Sequence, residues 1–121
     1  MKLTNLIMLQ YITYLNEIAP KTKGKLGYAV SRNIRKISEE LIDFEQARMN
    51  LIYKYGVLNA ESQEYIISED TSEYKKFLDE INILSSIEHN VDIYKIDIDS
   101  IIQSDLTAQE MNNIFFMIEE E

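Results

Sequence analysis

Apolar residues recur every three or four positions along four stretches of the chain, which is the spacing of one buried face of a helix. The stretches cover about residues 4–18, 26–55, 73–87 and the segment that follows Thr107. Thr4 and Thr107 stand where N-cap residues are expected, and Glu110 has capping-box spacing from Thr107. Thr71 or Ser72 is the expected cap of the third stretch. The pattern therefore predicts a mainly helical chain.

The second stretch is the longest, and its apolar positions follow alternating steps of four and three residues. This heptad seam consists of Val30, Ile34, Ile37, Leu41, Phe44, Arg48, Leu51 and Tyr55. We predict one continuous helix, closed by Gly56 and roughly 45 Å long at the usual helical rise. Such a helix either is a spine for the other elements or pairs with a second copy. We expect a homo-oligomer, although one chain can also fill the seam by itself.

Two shorter segments have the pattern of β-strands. Residues 65–67 are β-branched and aromatic, and residues 91–99 alternate apolar with charged side chains. We expect these two segments to pair with each other. The predicted fold class is therefore α+β, mainly helical, with a long central helix and a small two-stranded antiparallel sheet. The prediction places residues 1–121 in a single domain, and an all-α bundle is the alternative.

Charge is distributed unevenly along the 121 residues, whose net charge is −9. Residues 21–38 hold six Lys and Arg and no acid, whereas residues 39–121 hold five bases and 20 acids. Long-range repulsion from the acidic part argues against general nucleic-acid binding, because phosphates are anionic. A local anion site in the basic segment remains compatible with this distribution.

The chemistry available to the chain is limited. There is no Cys and one His, His89, which excludes thiolate sites, Cys nucleophiles and multi-His metal sites. Asp97 and Asp99 are the least poor candidates for a metal-dependent hydrolase, but the glycine-bearing loop of an EF-hand is missing. We predict no enzymatic activity, no catalytic residue, no metal and no cofactor. No apolar run reaches the roughly 18 residues that span a bilayer, and we expect a cytoplasmic protein without a membrane partner.

The candidate ligand-binding residues are basic and aromatic. They are Lys25, Tyr28, Arg32, Arg35, Lys36 and Arg48. On one helix face, guanidinium groups can hold phosphate while a tyrosine ring stacks on a base. The lysines and glycines before this helix can also hold an anion at its N-terminus. The alternatives are a solvated helix face, a polar loop, and a seam arginine paired with an acid.

Several short motifs spread over the chain resemble those of a known group of proteins. They are Lys2–Asn5, Lys25–Ile34, Phe44–Arg48, Lys54–Gly56, Glu73–Leu78 and Phe116–Glu120. In these motifs the chain resembles small uncharacterised proteins encoded by phages and prophages of Gram-positive bacteria. The resemblance brings no catalytic residue with it. It implies a virion assembly factor, a regulator or an inhibitor of host immunity, and one group of such inhibitors sequesters nucleotide-derived signals inside oligomers.

Two functional hypotheses follow. The first is a non-catalytic phage accessory protein in the host cytoplasm, an anti-defence protein that sequesters a phosphate-bearing, nucleotide-derived immune signal. The second is a structural, assembly or interaction factor whose acidic surface engages a partner such as a host defence protein. The basic helix would bind the ligand in the first hypothesis, and the acidic portion would be the working surface in the second.

Overall fold

The structure, a computed structural model, describes residues 1–119 and has six α-helices in that range. The helices are α1 (Asn5–Ile18), α2 (Gly24–Glu40), α3 (Ile42–Tyr55), α4 (Ser72–Ser85), α5 (Ile98–Ile102) and α6 (Ala108–Asn113). The strands are β1 (Lys2–Thr4), β2 (Val57–Asn59), β3 (Glu64–Ile66) and β4 (Glu88–Asn90). Short 3-10 turns cover Ala19–Lys21 and Phe115–Met117. The predicted class, mainly helical α+β, is confirmed.

The predicted strand pairing is wrong, because residues 65–67 and 91–99 do not pair. The structure has two separate two-stranded antiparallel sheets, β1 with β4 and β2 with β3. Residues 91–97 form no strand; they contain one isolated bridge, between Ile96 and Ile118, and a tight turn in which the Ile93 N–H donates to the Val91 carbonyl at 3.1 Å. Val91, Ile93 and Ile96 are buried while their neighbours are exposed. One side of this segment is buried and the other is exposed. Its apolar and charged residues therefore alternate as they do in a strand.

The predicted continuous helix is divided at Leu41 into α2 and α3. Leu41 has φ −84° and ψ −7°, outside the centre of the helical region. Its own N–H still reaches the Ile37 carbonyl at 3.0 Å, and the Glu45 N–H reaches the Leu41 carbonyl at 2.9 Å. The break lets α3 pack along α4, whereas α2 packs against α1 and α5.

The heptad seam is covered to a large extent from within the chain. Val30, Ile37, Leu41 and Phe44 are buried, and Ile34 packs against the same core. The homo-oligomer expected from the seam stays a prediction. The internal packing does explain the four-three spacing without invoking another subunit.

The buried core lies between α1, α2 and the chain from residue 91 to residue 118. Its members are Leu3, Met8, Leu15, Ile18, Leu26, Ala29, Val30, Ile37, Leu41, Phe44, Val91, Ile93, Ile96, Ile101, Leu106, Ile114, Met117 and Ile118. We call residues 42–87 the arm and the rest of the described chain the body. Among described arm residues, Phe44 alone belongs to this buried set, while Ile81 and Leu84 pack partly against it. The arm is therefore attached to the core rather than built around one of its own.

Candidate anion-binding site

The first turn of α2 lacks a side-chain cap within the described chain. Its N-cap residue is Lys23, which is extended and forms no capping hydrogen bond. Gly24 follows with φ +61°, in the left-handed region that favours glycine. Because the first N–H groups of a helix lack intrahelical acceptors and its N-terminus is partly positive, this end of α2 favours an anion.

Three adjoining open clefts, of about 390, 400 and 420 Å³, meet at Gly24. The first is lined by Lys21, Lys23 and Lys25 and, near α5, by the hydroxyl groups of two serines together with the carboxylate of Asp105. The second runs along Gly27 and Tyr28. The third lies between Lys25, Tyr28 and the segment from Tyr94 to Asp97. The clefts thus join a lysine-rich loop to an aromatic surface.

Tyr28 and Tyr94, which line the third cleft, form a compact cluster with Arg32, which lies beside them and lines none of the three clefts. The Tyr28 and Tyr94 rings meet edge to face, with centroids 5.5 Å apart. The Arg32 guanidinium lies 5.1 Å from the Tyr94 ring centroid, and Nη1 donates to the Tyr28 hydroxyl at 3.2 Å. Tyr28 is 56% exposed, so part of its ring is open to a ligand. The cluster orders the arginine and the two rings relative to each other.

Tyr94 is fixed by Asn33, a residue that the sequence analysis did not select. Asn33 is fully buried, its Nδ2 donates to the Tyr94 carbonyl at 2.9 Å, and its Oδ1 accepts from the Tyr94 N–H at 2.8 Å. The only signal in the sequence was an amide on the apolar side of α2, between Val30 and Ile37. Its partner is 61 residues away, and spacing could not identify it.

Acidic groups adjoin the site and neutralise part of its charge. Lys21 pairs with Glu110 at 2.6 Å, and this hydrogen bond, together with the Thr107 N–H, holds the pKa of Glu110 below its usual value. The Ser100 hydroxyl, and to a lesser extent the charge of Lys25, lower the pKa of Asp97. Within residues 1–119, Lys23 and Lys25 take part in none of the ion pairs.

The other predicted ligand-binding residues are placed differently. Lys36 donates to the Asp92 carboxylate at 3.1 Å and to the Asp92 carbonyl at 2.8 Å, which connects α2 to the segment of residues 91–97. Arg35 is exposed on α2. Arg48 lies on α3 and pairs with Glu45 at 3.1 Å. The structure therefore brings Lys25, Tyr28 and Arg32 together with Tyr94, and directs Lys36 and Arg48 to carboxylates.

The described residues offer binding groups rather than a set of metal ligands. In the part of the chain that the structure covers, no three His, Asp or Glu side chains are grouped to hold an ion. His89 faces the Glu40 carboxylate at 3.8 Å, in the region of the β1–β4 sheet. No helix of the described residues is long and apolar enough to cross a membrane.

Comparisons of the chain with protein-family models, curated proteins and solved structures found no match. The site is therefore interpreted from the residues of this chain. Its arrangement combines an uncapped helix end, exposed lysines, an ordered arginine and two tyrosine rings. Together these groups suit a ligand that carries both phosphate and a flat ring.

Proposed function

We propose that this protein binds a phosphate-bearing small molecule of nucleotide type at the start of α2. The observation that carries the proposal is the meeting of three clefts at Gly24, with lysines on one side and the Tyr28–Tyr94 pair on the other. Lys23, Lys25 and the first-turn amides of α2 would hold phosphate. Tyr28 would contact the base, and Arg32 is ordered to bridge the two.

The expected form of this activity is sequestration without turnover. The described cluster has donors and rings but no grouped metal ligands. Together with the resemblance to phage and prophage proteins, these features support an anti-defence role in which a nucleotide-derived signal is held and withdrawn from its receptor. Because such a role requires only affinity, a half-exposed site of this kind is sufficient.

Isothermal titration calorimetry with cyclic di-AMP, AMP and inorganic phosphate tests the proposal. The double variant Lys23→Ala with Lys25→Ala should weaken binding of every probe that binds the wild type, by about tenfold or more, because it removes the cations. Tyr28→Ala should weaken only the two nucleotides. The matched control is Lys75→Ala with Lys76→Ala, which removes two exposed lysines of α4.

Native mass spectrometry of the protein purified from cells complements the titration. A nucleotide-sized adduct that is lost in the Lys23→Ala, Lys25→Ala variant would support sequestration and would report the oligomeric state. If none of the probes binds and no adduct is retained, the proposal fails. If the Lys75→Ala, Lys76→Ala control lost as much affinity, the probes would be attracted by charge alone. The proposal of a site at the start of α2 would then fail as well.

A further inference from the structure

The hairpin formed by β2 and β3 exposes apolar side chains on both of its faces. Val57 and Ile66 stand opposite each other in the register and are 75% and 45% exposed. Leu58 and Tyr65 form the next pair, and Tyr65 meets Tyr53 of α3 edge to face at a centroid distance of 4.9 Å. One face is therefore turned toward α3, while the face with Val57 and Ile66 is the more open to solvent.

Such a hairpin is costly to leave uncovered. Two-stranded sheets are marginal in water by themselves, and each strand here has one edge without a strand partner among the described residues. Val57 and Ile66 are β-branched residues, for which burial is normally favourable. Apolar residues placed together at the surface in this way are typical of an interaction surface.

The charges around the hairpin decide what can cover it. Residues 55–74 contain five carboxylates and no Lys or Arg. They are Glu61, Glu64, Glu69, Asp70 and Glu73, all of which are exposed. No ion pair of residues 1–119 includes any of the five. The hairpin itself is thus an apolar patch whose charged residues, Glu61 and Glu64, are both acidic, while Lys54 and Lys75 border the segment.

The two hairpin carboxylates disfavour a second copy of the chain. Two hairpins brought face to face would place four carboxylates, from Glu61 and Glu64 of each copy, at one interface with no base in either hairpin, and like charges across an interface are unfavourable. A partner with Lys and Arg around an apolar centre would complement both the exposed apolar residues and the carboxylates of the hairpin. Apolar contact then supplies affinity, and the charges supply orientation and a fast encounter.

We propose that the β2–β3 hairpin is a docking surface for a basic protein segment that presents apolar residues between its Lys and Arg side chains. The surface is separate from the ligand site, because its residues belong to the arm and line none of the clefts at Gly24. The protein would then have two binding activities, one for a small anion and one for a basic polypeptide. Neither activity requires the other.

Fluorescence anisotropy with labelled synthetic peptides tests the docking surface. The main probe alternates Val with Lys, and its two comparison peptides replace Val by Ser or Lys by Glu. Wild-type protein should bind the Val–Lys peptide about tenfold more tightly than the Ser–Lys peptide, and the Val–Glu peptide should not bind. If the wild type binds the Val–Lys peptide no better than the Ser–Lys peptide, the proposal is overturned.

Variants locate the binding on the hairpin. Val57→Ser with Ile66→Ser, and separately Glu61→Lys with Glu64→Lys, should each weaken Val–Lys binding by about tenfold. Ile42→Ser with Ile83→Ser is the apolar control, since these arm residues are 63% and 67% exposed. Glu17→Lys with Glu39→Lys is the charge control on the body. Both controls should bind the peptide as the wild type does.

The remaining outcomes also decide the question. If Glu17→Lys with Glu39→Lys weakened binding of the Val–Lys peptide equally, the peptide would be attracted by the acidic protein in general. That result would overturn the proposal. Sedimentation velocity that shows a wild-type dimer, dissociated by Val57→Ser with Ile66→Ser, would assign the hairpin to self-association and overturn it too. If the serine variant fails to fold by circular dichroism, the Glu61→Lys, Glu64→Lys variant decides alone, because it changes only exposed side chains.

Discussion

At the scale of single residues, Asn33 connects stability with the candidate site. Both ends of its buried amide are satisfied by the backbone of Tyr94, so one side chain replaces two hydrogen bonds that water would otherwise supply. The same contact places the Tyr94 ring against Arg32. A buried residue that lines none of the three clefts thus determines where the Tyr94 ring stands beside them.

Asn33→Ala should destabilise the protein by about 2–4 kcal/mol, because it removes a fully buried side chain and leaves two part-buried backbone groups of Tyr94 without partners. Urea unfolding followed by circular dichroism measures the change. Asn16→Ala, an exposed substitution on α1, should shift the free energy of unfolding by less than about 0.5 kcal/mol. A similar small shift for Asn33→Ala would contradict the role given to this amide.

Among the contacts of single residues, the sequence could predict the hydrogen bonds that cap helices, because they join near neighbours along the chain. Thr4, Thr71 and Thr107 each accept a hydrogen bond from a backbone N–H three residues later, and Glu110 completes the capping box, as predicted. Caps depend on neighbours within one turn. The bond between Asn33 and Tyr94 depends on the whole fold, and periodicity contains no information about it.

At the scale of elements, the sequence predicted the faces of the helices better than their bounds. The seam is buried or packed on the core from Val30 to Phe44, whereas Arg48, Leu51 and Tyr55 are half-buried, and α2 and α3 are separate helices. No Gly or Pro marks the break at Leu41. The division is confined to one residue, Leu41 with ψ −7°, and the hydrogen bonds of the helix continue on both sides of it.

Gly56 ends α3 as predicted, but space rather than a left-handed backbone requires the glycine. Its φ is −87°, while an added Cβ would stand 2.5 Å from the Ile52 carbonyl oxygen and 3.2 Å from Tyr65 Cβ. A Cβ at position 56 would therefore displace the backbone where α3 passes into the hairpin. The junction between α3 and β2 requires glycine at this position.

Gly56→Ala should cost about 1–3 kcal/mol and should weaken the near-ultraviolet circular dichroism signal of the tyrosines, because Tyr65 would move away from Tyr53. Gly24→Ala is the comparison, since its Cβ meets no atom within 4 Å. Its cost should be about 1 kcal/mol, from backbone conformation alone. An unchanged tyrosine signal in Gly56→Ala would argue against the close approach.

At the scale of the whole molecule, the body and the arm differ in how much they bury. Almost every fully buried side chain of the described residues belongs to the body, while α4, β2 and β3 are half-buried or exposed. Buried apolar area is the main stabilising contribution to a fold. The two parts should accordingly open at different free energies.

Hydrogen exchange followed by mass spectrometry measures this difference. Peptides from α1 and α2 should show the slowest exchange, and peptides from β2, β3 and α4 should exchange at least about tenfold faster, through openings that leave the body folded. Uniform protection along the chain would mean that body and arm unfold together. Peptides from the β1–β4 sheet should follow the body.

The β1–β4 sheet joins residues that are far apart along the chain. Leu3 stands opposite His89, and the N-terminal amine of Met1 donates to the Val91 carbonyl at 3.1 Å. The arm, by contrast, is held chiefly by α3 with α4 and by β2 with β3, which lie closer in sequence than β1 and β4 and therefore close shorter loops at a smaller loss of chain entropy. During synthesis, β1 must wait until β4 has left the ribosome, whereas every element of the arm is present as soon as α4 appears. The large core of the body is thus completed only after most of the chain has been synthesised, and the arm packs Phe44, Ile81 and Leu84 on that core.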